Sequence, residues 1–302
     1  MEKELYPERL VQRVNELYHD ITADQYEHSH PEIFQQEKPR LQRIAKQFLQ
    51  FAHPITILEI GTGTGFVPIA IGTLLKDSDT FICSDISAGI LGRAEKIIHE
   101  QQFPSSFKFV KIERQTPYRL PFPEGSMDVV LMNSVLHHVR DTGTFLQEIS
   151  RVQRSKGLLI ISHEPNRYFH DNRFLRYNYL LISCLTDPKR VVYGKLRGTS
   201  PEPIVRRLWH YISPKSKEKY SQLKAVADRI NTILLAEQAI DTPLMPEEVG
   251  RIVDVRDAEG FRADVVPSGF RLLHLETYDQ ILRKRYPRAG AKFLAVLEKE
   301  AN

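Results

Sequence analysis

The chain is poor in cysteine and has no strong excess of either charge. Two of its 302 residues are cysteine, so a disulfide framework is not expected. A reducing, cytoplasmic location is expected instead. Lys and Arg total 42 against 38 Asp and Glu, and a net charge of +4 does not by itself indicate nucleic-acid binding. The apolar runs, such as Tyr179–Leu185, are shorter than the roughly 18 residues of a membrane span, and the first ten residues show no secretory signal. Hydrophobic residues still make up 41% of the chain, which is enough to form a core.

Short apolar runs alternate with helix-like stretches between about residues 53 and 166. The runs are Ile55–Ile60, Thr80–Ser84, Phe107–Ile112, Met127–Met132 and Gly157–Ser162. Apolar strands separated by helices are typical of a parallel sheet covered on both faces, so an α/β, doubly wound fold is predicted. After this region, strands are predicted at 261–266 and 271–277, followed by a helix over 289–301.

Residues 167–245 carry no strand pattern and are predicted to be helical, with helices over Asn172–Leu185 and Lys217–Gln238. Within this segment, residues 187–220 hold nine Lys and Arg against three acids. That surplus predicts attraction for a carboxylate, a phosphate, a carrier protein or an anionic surface. A merely solvated basic face is the alternative.

The first strand runs into the glycine-rich sequence Gly61-Thr62-Gly63-Thr64-Gly65. Glycines allow the backbone to turn sharply and to approach a ligand, and open α/β sheets bind ligands at the carboxyl ends of their strands. A dinucleotide loop would have its third glycine at the position of Phe66, so the pattern is GxGxG rather than GxGxxG. Asp85 ends the next strand, about 20 residues past the loop, where an acid can accept both hydroxyls of a ribose.

These features together resemble the class I S-adenosylmethionine-dependent methyltransferases. The match covers about 53–166, and Leu120–Val130 resembles the approach to the fourth strand in the branch with small-molecule and quinone methyltransferases. The resemblance implies a mostly parallel, seven-stranded, Rossmann-like sheet with a helical cap insertion. It divides the chain into an N-terminal helical lid (1–50), a cofactor-binding core (51–166), a helical substrate cap (167–245) and a completion of the core by a hairpin and a helix (246–302).

S-adenosylmethionine is the cofactor that the resemblance implies. The resemblance implies that the glycines of the loop pack against the methionine part of the cofactor. It also implies that Asp85 holds the ribose and that Ile86 lies against the adenine. Glu59 would orient the loop, and Tyr26 is the best lid residue to cover the cofactor. The cofactor-binding residues predicted in this way are Tyr26, Glu59, Gly61, Thr62, Gly63, Gly65, Asp85, Ile86, Gln115, Thr116, Asn133 and Ser134.

The sequence departs from the family at the adenine position. The family has an Asp there to accept from the adenine amino group, and the next residue donates a backbone N–H. Here the two positions hold Thr116 and Pro117, and proline has no N–H. Adenine recognition is therefore expected to be built differently, with Gln115 or Thr116 as a side-chain substitute.

Histidines after the fourth and fifth strands are the candidate general bases for methyl transfer. His137 and His138 follow the fourth strand, and because adjacent helical positions point about 100° apart, at most one should face the acceptor. We favour His138, with simple packing of both rings as the alternative. His163 and Glu164 follow the fifth strand and could act as a base or substrate contact, or could cap a helix or fix a loop.

The sequence therefore predicts transfer of a methyl group to a small organic acceptor, anionic or carrier-bound, more readily at oxygen than at nitrogen or carbon. Two alternatives stay open: methylation of a protein or RNA, and a non-catalytic partner protein that keeps the fold. No nucleic-acid partner is expected, because no appended RNA-binding module is visible. No metal is expected either, because His28 and His30 lack a third fixed ligand. The sequence does not define the oligomeric state.

Overall fold

The computed structural model describes residues 6–23, 37–114, 118–166, 172, 174, 214–253, 266–277 and 292–301. Its helices are α1 (Glu8–Thr22), α2 (Lys38–Phe48), α3 (Phe66–Ile71), α4 (Ala88–Glu100), α5 (Thr142–Val152), α6 (Pro214–Ala236) and α7 (Pro246–Val253), with short 3-10 turns at Gly72–Leu74 and Leu136–His138. Its strands are β1 (Thr56–Ile60), β2 (Thr80–Asp85), β3 (Ser106–Lys111), β4 (Met127–Asn133), β5 (Gln153–Pro165), β6 (Phe270–Thr277) and β7 (Lys292–Lys299).

The seven strands form one sheet in the order β3-β2-β1-β4-β5-β7-β6. The first five are parallel to one another, and β7 is antiparallel to both β5 and β6. The chain order reverses between β1 and β4, and a crevice at such a switch point is where open α/β sheets bind ligands. The predicted doubly wound, mostly parallel, Rossmann-like sheet is confirmed.

Apolar side chains of the central strands alternate between two cores, one on each face of the sheet. Val129 and Leu131 of β4 pack into the core beneath α2, α3 and α4, whereas Val130 and Met132 pack into the core beneath α5. Because both faces are buried, these strands read as unbroken apolar runs in the sequence. The runs therefore predicted β1 to β5 correctly.

The C-terminal end differs from the sequence prediction. The helix predicted over 289–301 is wrong, because residues 292–299 form β7, which is inserted between β5 and β6. Five consecutive residues, Phe293 to Leu297, are almost completely buried in that position. Their tertiary pairing outweighs the helix propensity of the Ala, Leu, Glu and Lys residues in this stretch. The partner of β6 is thus β7, and the predicted strand at 261–266 lies, except for Val266, outside the described residues.

Helices α1, α6 and α7 form a separate apolar layer with its own buried cluster. Val14 of α1 and Ile230 of α6 are fully buried in it, together with Val249 of α7. Polar contacts fasten the layer: the Tyr6 hydroxyl donates to Glu248 Oε1 at 2.7 Å, and Arg13 Nε donates to Glu237 Oε2 at 3.0 Å. Residues from the predicted cap and from the predicted lid therefore pack on each other. Within the part of the chain that the structure describes, no helix is long and apolar enough to cross a membrane.

Candidate functional site

The glycine loop leaves β1 in backbone conformations that favour glycine. Gly61, Gly63 and Gly65 have φ values of 70°, 56° and 91°. A Cβ on Gly61 would lie 2.5 Å from Val135 Cγ2, whereas a Cβ on Gly63 would meet no atom within 4 Å. The loop thus needs a glycine for packing at its first position. At its second position it leaves open space where a ligand can approach the backbone.

Asp85 ends β2 directly beside this loop. Its Oδ2 accepts the Gly63 N–H at 3.0 Å, and its Oδ1 accepts the Ser87 N–H at 3.0 Å. Burial raises the pKa of the Asp85 carboxyl to about 6, although these backbone donors favour the ionised form. The side chain therefore fixes the loop and still presents acceptor lone pairs to the space next to it.

Glu59 lies beneath the loop and is 1% exposed. Burial raises the pKa of its carboxyl to about 8, with the nearby Asp85 acting in the same direction and a hydrogen bond from Thr62 acting against it. The Thr62 N–H donates to the Ser84 carbonyl at 2.9 Å, which joins the loop to β2. Glu59 and Thr62 thus support the loop from below.

The turn after β4 is held by the Glu164 carboxylate at the end of β5. Glu164 is 1% exposed and accepts the backbone N–H groups of Leu136 at 2.7 Å and of His137 at 3.2 Å. Its Oε2 also lies 3.0 Å from His137 Nδ1. Burial opposes ionisation of Glu164, but His137 and the backbone donors outweigh it and lower the pKa of this carboxyl. Glu164 therefore orients both the turn and the His137 ring.

A bulge in β5 explains why Glu164 points at this turn. The pairing of β5 with β7 shifts register between Ile161 and Glu164, and His163 has a positive φ of 57°. Bulges re-aim side chains and are frequent beside functional sites. The adjacent Ser162 carbonyl accepts the Ser134 N–H at 2.8 Å, which ties the two strand ends together.

His138 faces the space below α1. Its ring lies against His137 at a tilt of 41° with a centroid distance of 4.0 Å, and it meets His19 edge-to-face at 5.9 Å. Burial, with His137 and His19 adding to it, holds the pKa of His138 well below its usual value. His138 is therefore neutral near pH 7, and its Nδ1 has no hydrogen-bond partner among the described residues.

His163 lies in a buried ionic cluster rather than at this space. Its Nδ1 is 3.3 Å from Glu37 Oε1, and its Nε2 contacts Lys292 Nζ. Glu37 in turn pairs with Arg40 at 2.6 Å, and Arg40 also contacts Glu276. The cluster joins α2 to β5, β6 and β7, and the structure does not bring His163 to the glycine loop.

A cavity of about 160 Å³ joins the glycine loop to the strand ends. Seven predicted site residues line it: Gly61, Gly63, Asp85, Ile86, Asn133, Ser134 and His138. Glu59, Thr62, Gly65 and His137 lie around it without lining it, and Tyr26, Gln115 and Thr116 are outside the described residues. Among the residues described, no group of three or more His, Cys, Asp or Glu side chains could hold a metal ion.

Helix α1, which belongs to the predicted N-terminal lid (1–50), forms the roof of this cavity, but none of its cavity-lining residues was among the predicted site residues. Glu8, Gln12, Asn15 and His19 line the cavity from above. Their spacing of four, three and four residues places them on one face of a helix. This polar stripe runs beside the apolar residues Val11, Val14 and Leu17, so the signal was present in the sequence, but nothing there showed which face meets the cavity.

The cavity fits the cofactor that the sequence predicted. It has a glycine loop open to a ligand at Gly63, a carboxylate at the ribose position and an apolar side chain, Ile86, for the adenine face. Buried acceptors, the Oδ1 atoms of Asn133 and Asn15, have no partner within the described part of the chain. Buried polar atoms are normally satisfied, so these two are suited to a polar ligand.

Comparison with known proteins agrees with the geometry. Residues 58–161 match the family described as "Methyltransferase domain". A polyketide synthase–nonribosomal peptide synthetase of Aspergillus flavipes is 32% identical over 124 residues, which is 40% of this chain and 3% of that protein. A hybrid synthetase of Trichoderma harzianum is 28% identical over 214 residues, which is 69% of this chain and 5% of that protein. This chain therefore spans only a small part of the length of these relatives.

Among solved structures, the CurJ carbon methyltransferase is 16% identical, with a TM-score of 0.44 and coverage of 87% of this chain and 54% of that one. The range that matches the family, 58–161, begins within β1, includes the glycine loop and β2 to β4, and ends within β5. Residues 58–161 thus match a methyltransferase domain, and the cofactor of this domain is S-adenosylmethionine.

Proposed function

We propose that the chain methylates a small organic acceptor, with His137 as general base and Glu164 as the carboxylate that positions it. The observation that carries this proposal is the 3.0 Å contact between His137 Nδ1 and Glu164 Oε2, at the carboxyl end of the sheet beside the glycine loop. A base oriented by a buried carboxylate is the arrangement that proton-abstracting sites use repeatedly.

The charge state of Glu164 determines the tautomer of His137. The pKa of Glu164 is lowered, so this carboxylate is ionised and can only accept hydrogen bonds. In the neutral ring, the contact with Glu164 places the His137 proton on Nδ1 and leaves the Nε2 lone pair as the site that can accept a proton. That lone pair takes a proton from the acceptor, and Glu164 stabilises the imidazolium that forms.

The bound cofactor supplies an activated methyl group on a sulfonium, so the protein's main tasks are alignment and desolvation. Asp85 and the glycine loop are the residues that would hold the cofactor against the ends of β1 and β2. The turn at Val135–His138 would lie on the acceptor side. Both turns are fixed by backbone N–H groups donating to buried carboxylates, which makes the site rigid before ligands arrive.

We propose a hydroxyl oxygen as the methylated atom, as the sequence predicts. A carbon beside a carbonyl is the second candidate, since the named relatives are polyketide synthases and peptide synthetases. The same His137 base serves an acidic O–H or an acidic C–H. The basic segment 187–220, which lies largely outside the described residues, supports an acceptor that is anionic or bound to a carrier protein.

Turnover of base variants tests this assignment. His137→Ala should lower kcat by about 10²- to 10⁴-fold, the usual worth of a general base, while affinity for S-adenosylhomocysteine stays close to wild type. Glu164→Gln should also lower kcat, because an amide facing Nδ1 favours the wrong tautomer. His53→Ala, on an exposed histidine, is the control and should turn over normally.

The competing base is His138, which the sequence analysis favoured. If His138→Ala loses turnover and His137→Ala does not, the assignment to His137 is overturned. A methyl-labelled product analysed by NMR then identifies the acceptor atom, because methyl groups on oxygen and on carbon have well separated chemical shifts. A label found on carbon overturns the choice of oxygen and leaves the base assignment standing.

A further inference from the structure

Asn15 of α1 presents an unused hydrogen-bond acceptor to the cofactor cavity. The residue is 3% exposed, yet it lines the cavity. Its Nδ2 donates to the Val11 carbonyl at 2.9 Å, and because a carbonyl can only accept, this bond fixes the orientation of the amide. The atom left over is Oδ1, which has no partner among the described residues. A buried acceptor of this kind needs a donor from a ligand.

The residue that follows Asn15 ties this turn of α1 to the end of β3. The next residue, Glu16, pairs with Arg114 at 2.7 Å and with Lys111 at 3.4 Å, so this turn of α1 is docked at the carboxyl end of β3. Ile86 and Ile112 form apolar walls of the same cavity. Apolar side chains of this kind are suited to contact the face of an aromatic base.

One turn further along α1, the helix is fastened to the start of α4. Asp20 Oδ1 accepts the Gly89 N–H at 2.9 Å and contacts the Ser87 hydroxyl. Ser87 also donates its N–H to Asp85 Oδ1. Glu16 and Asp20 both follow Asn15 on α1, so the helix is fastened directly after Asn15 to the end of β3 and, one turn later, to the segment beside the ribose position.

The chemistry of the cofactor selects the donor. S-adenosylmethionine offers hydrogen-bond donors at the ribose hydroxyls, the methionine ammonium and the exocyclic amino group of adenine. Asp85 takes the hydroxyls, and the glycine loop lies at the methionine end. Only the adenine amino group remains for an acceptor located near β3.

The loop after β3 lacks the expected partner for that amino group. Thr116 stands at the position that the family fills with an Asp, and Pro117 cannot donate a backbone N–H. We infer that Asn15 Oδ1 accepts the adenine amino group, so that a residue of the roof helix performs the recognition that the strand-end loop does elsewhere. This inference rests on the cofactor site described above and adds a base-specificity residue to it.

Calorimetry with two ligands tests the inference without any acceptor. S-adenosylhomocysteine carries the amino group, whereas S-inosylhomocysteine carries a carbonyl that would face Asn15 Oδ1, acceptor against acceptor. The wild-type protein should bind the adenosyl ligand at least about tenfold more tightly than the inosyl ligand. Asn15→Ala should weaken binding of the adenosyl ligand by about 3- to 10-fold, the worth of one hydrogen bond, and should lower the discrimination between the two ligands by at least the same factor.

Three further variants distinguish base recognition from other effects. Arg9→Ala, an exposed position on the same helix, should leave both affinities unchanged. Gln115→Ala and Thr116→Val test the side chains that the sequence analysis proposed for the same amino group. If either abolishes the discrimination while Asn15→Ala preserves it, or if Asn15→Ala weakens both ligands equally, the inference is overturned. Failure of both ligands to bind the wild type would instead overturn the cofactor site as a whole.

Discussion

The Asp85 carboxylate both shapes the glycine loop and faces the cavity. One oxygen receives the Gly63 N–H and the other receives the Ser87 N–H, so the two backbone segments that flank the cavity depend on one side chain. Burial has already raised the pKa of this carboxyl to about 6. At the scale of single residues, cofactor binding therefore depends on keeping a buried carboxylate ionised.

Asp85→Asn should weaken S-adenosylhomocysteine binding by about 10- to 100-fold, because hydrogen bonds to a charged acceptor are worth about 1.5–3 kcal/mol. Isothermal titration calorimetry at pH 7.5 measures the loss. Asp77→Asn, on an exposed aspartate before the same strand, is the matched control and should bind as the wild type does. If the wild type and Asp85→Asn bind S-adenosylhomocysteine equally tightly, Asp85 does not bind the ribose.

Glu59 gives a pH dependence of stability. Below about pH 4.3 its carboxyl is protonated in both the folded and the unfolded chain. Because burial raises its folded pKa to about 8, the folded protein retains a proton that the unfolded chain has released between these two values. The contribution of Glu59 to the free energy of unfolding therefore falls as pH rises through this window.

Urea unfolding of the ligand-free protein at pH 6.5 and pH 8.5 measures this effect. The wild type should be less stable at the higher pH, and Glu59→Gln, which cannot ionise, should show a smaller decrease. The same decrease in both proteins would mean that Glu59 is ionised throughout.

At the scale of elements, the glycine loop and the turn after β4 are packed against each other. Gly61 sits against Val135, and that turn is in turn held by Glu164. The two cavity walls are thus coupled, since a shift of the loop moves the turn that carries His137.

Gly61→Ala should disrupt this contact, because its new Cβ would lie 2.5 Å from Val135 Cγ2 at a φ of 70°. The left-handed conformation alone costs about 1–2 kcal/mol, and affinity for S-adenosylhomocysteine should fall with it. Gly92→Ala is the matched control, since that helical glycine has open space around it and alanine should stabilise α4 by up to about 1 kcal/mol. Urea unfolding and calorimetry on the same samples measure both effects, and a Gly61→Ala protein with wild-type affinity would contradict the packing account.

Elements with local signals were predictable from the sequence, and elements defined by distant partners were not. Apolar runs in the sequence indicate strands β1 to β5, and closely spaced glycines indicate the loop. Asp85 is recognised because it ends the second apolar run. By contrast, β7 has the composition of a helix and becomes a strand only because β5 and β6 flank it. Likewise, Glu164 reaches His137 only through a bulge, and Asn15 reaches the cavity only because α6 and α7 bury the opposite side of α1.

At the scale of the whole molecule, helices α1, α6 and α7 form one layer, and α1 is the helix of this layer that lines the cofactor cavity. Their shared apolar cluster links residues that are more than 200 positions apart, such as Val14 and Ile230. The Asn231 side chain adds to this by pairing with the Leu244 backbone at 2.8 and 2.9 Å, which fixes the connection between α6 and α7. Movement of the roof over the cofactor should therefore involve all three helices.

Ile230→Ala should loosen this layer selectively. Removing a fully buried isoleucine costs about 2–5 kcal/mol, and the cost should fall on the helices that share its cluster. Hydrogen exchange followed by mass spectrometry should show faster exchange in both α1 and α6, and S-adenosylhomocysteine should slow both together. Val296→Ala in β7 is the control: it is equally buried, but in the sheet core. Unchanged exchange of α1 in Ile230→Ala would show that the roof does not move as one layer.

Methyl transfer itself is the most direct test of the account. The chain is mixed with S-adenosylmethionine carrying a ¹³C-labelled methyl group and with a panel of hydroxyacyl and ketoacyl thioesters, and both S-adenosylhomocysteine and labelled product are quantified. We expect acceptor-dependent formation of the two products in equal amounts, and we expect His137→Ala to abolish it. Tight binding of the cofactor without S-adenosylhomocysteine formation on any acceptor would contradict it and would favour a binding protein that keeps the methyltransferase fold.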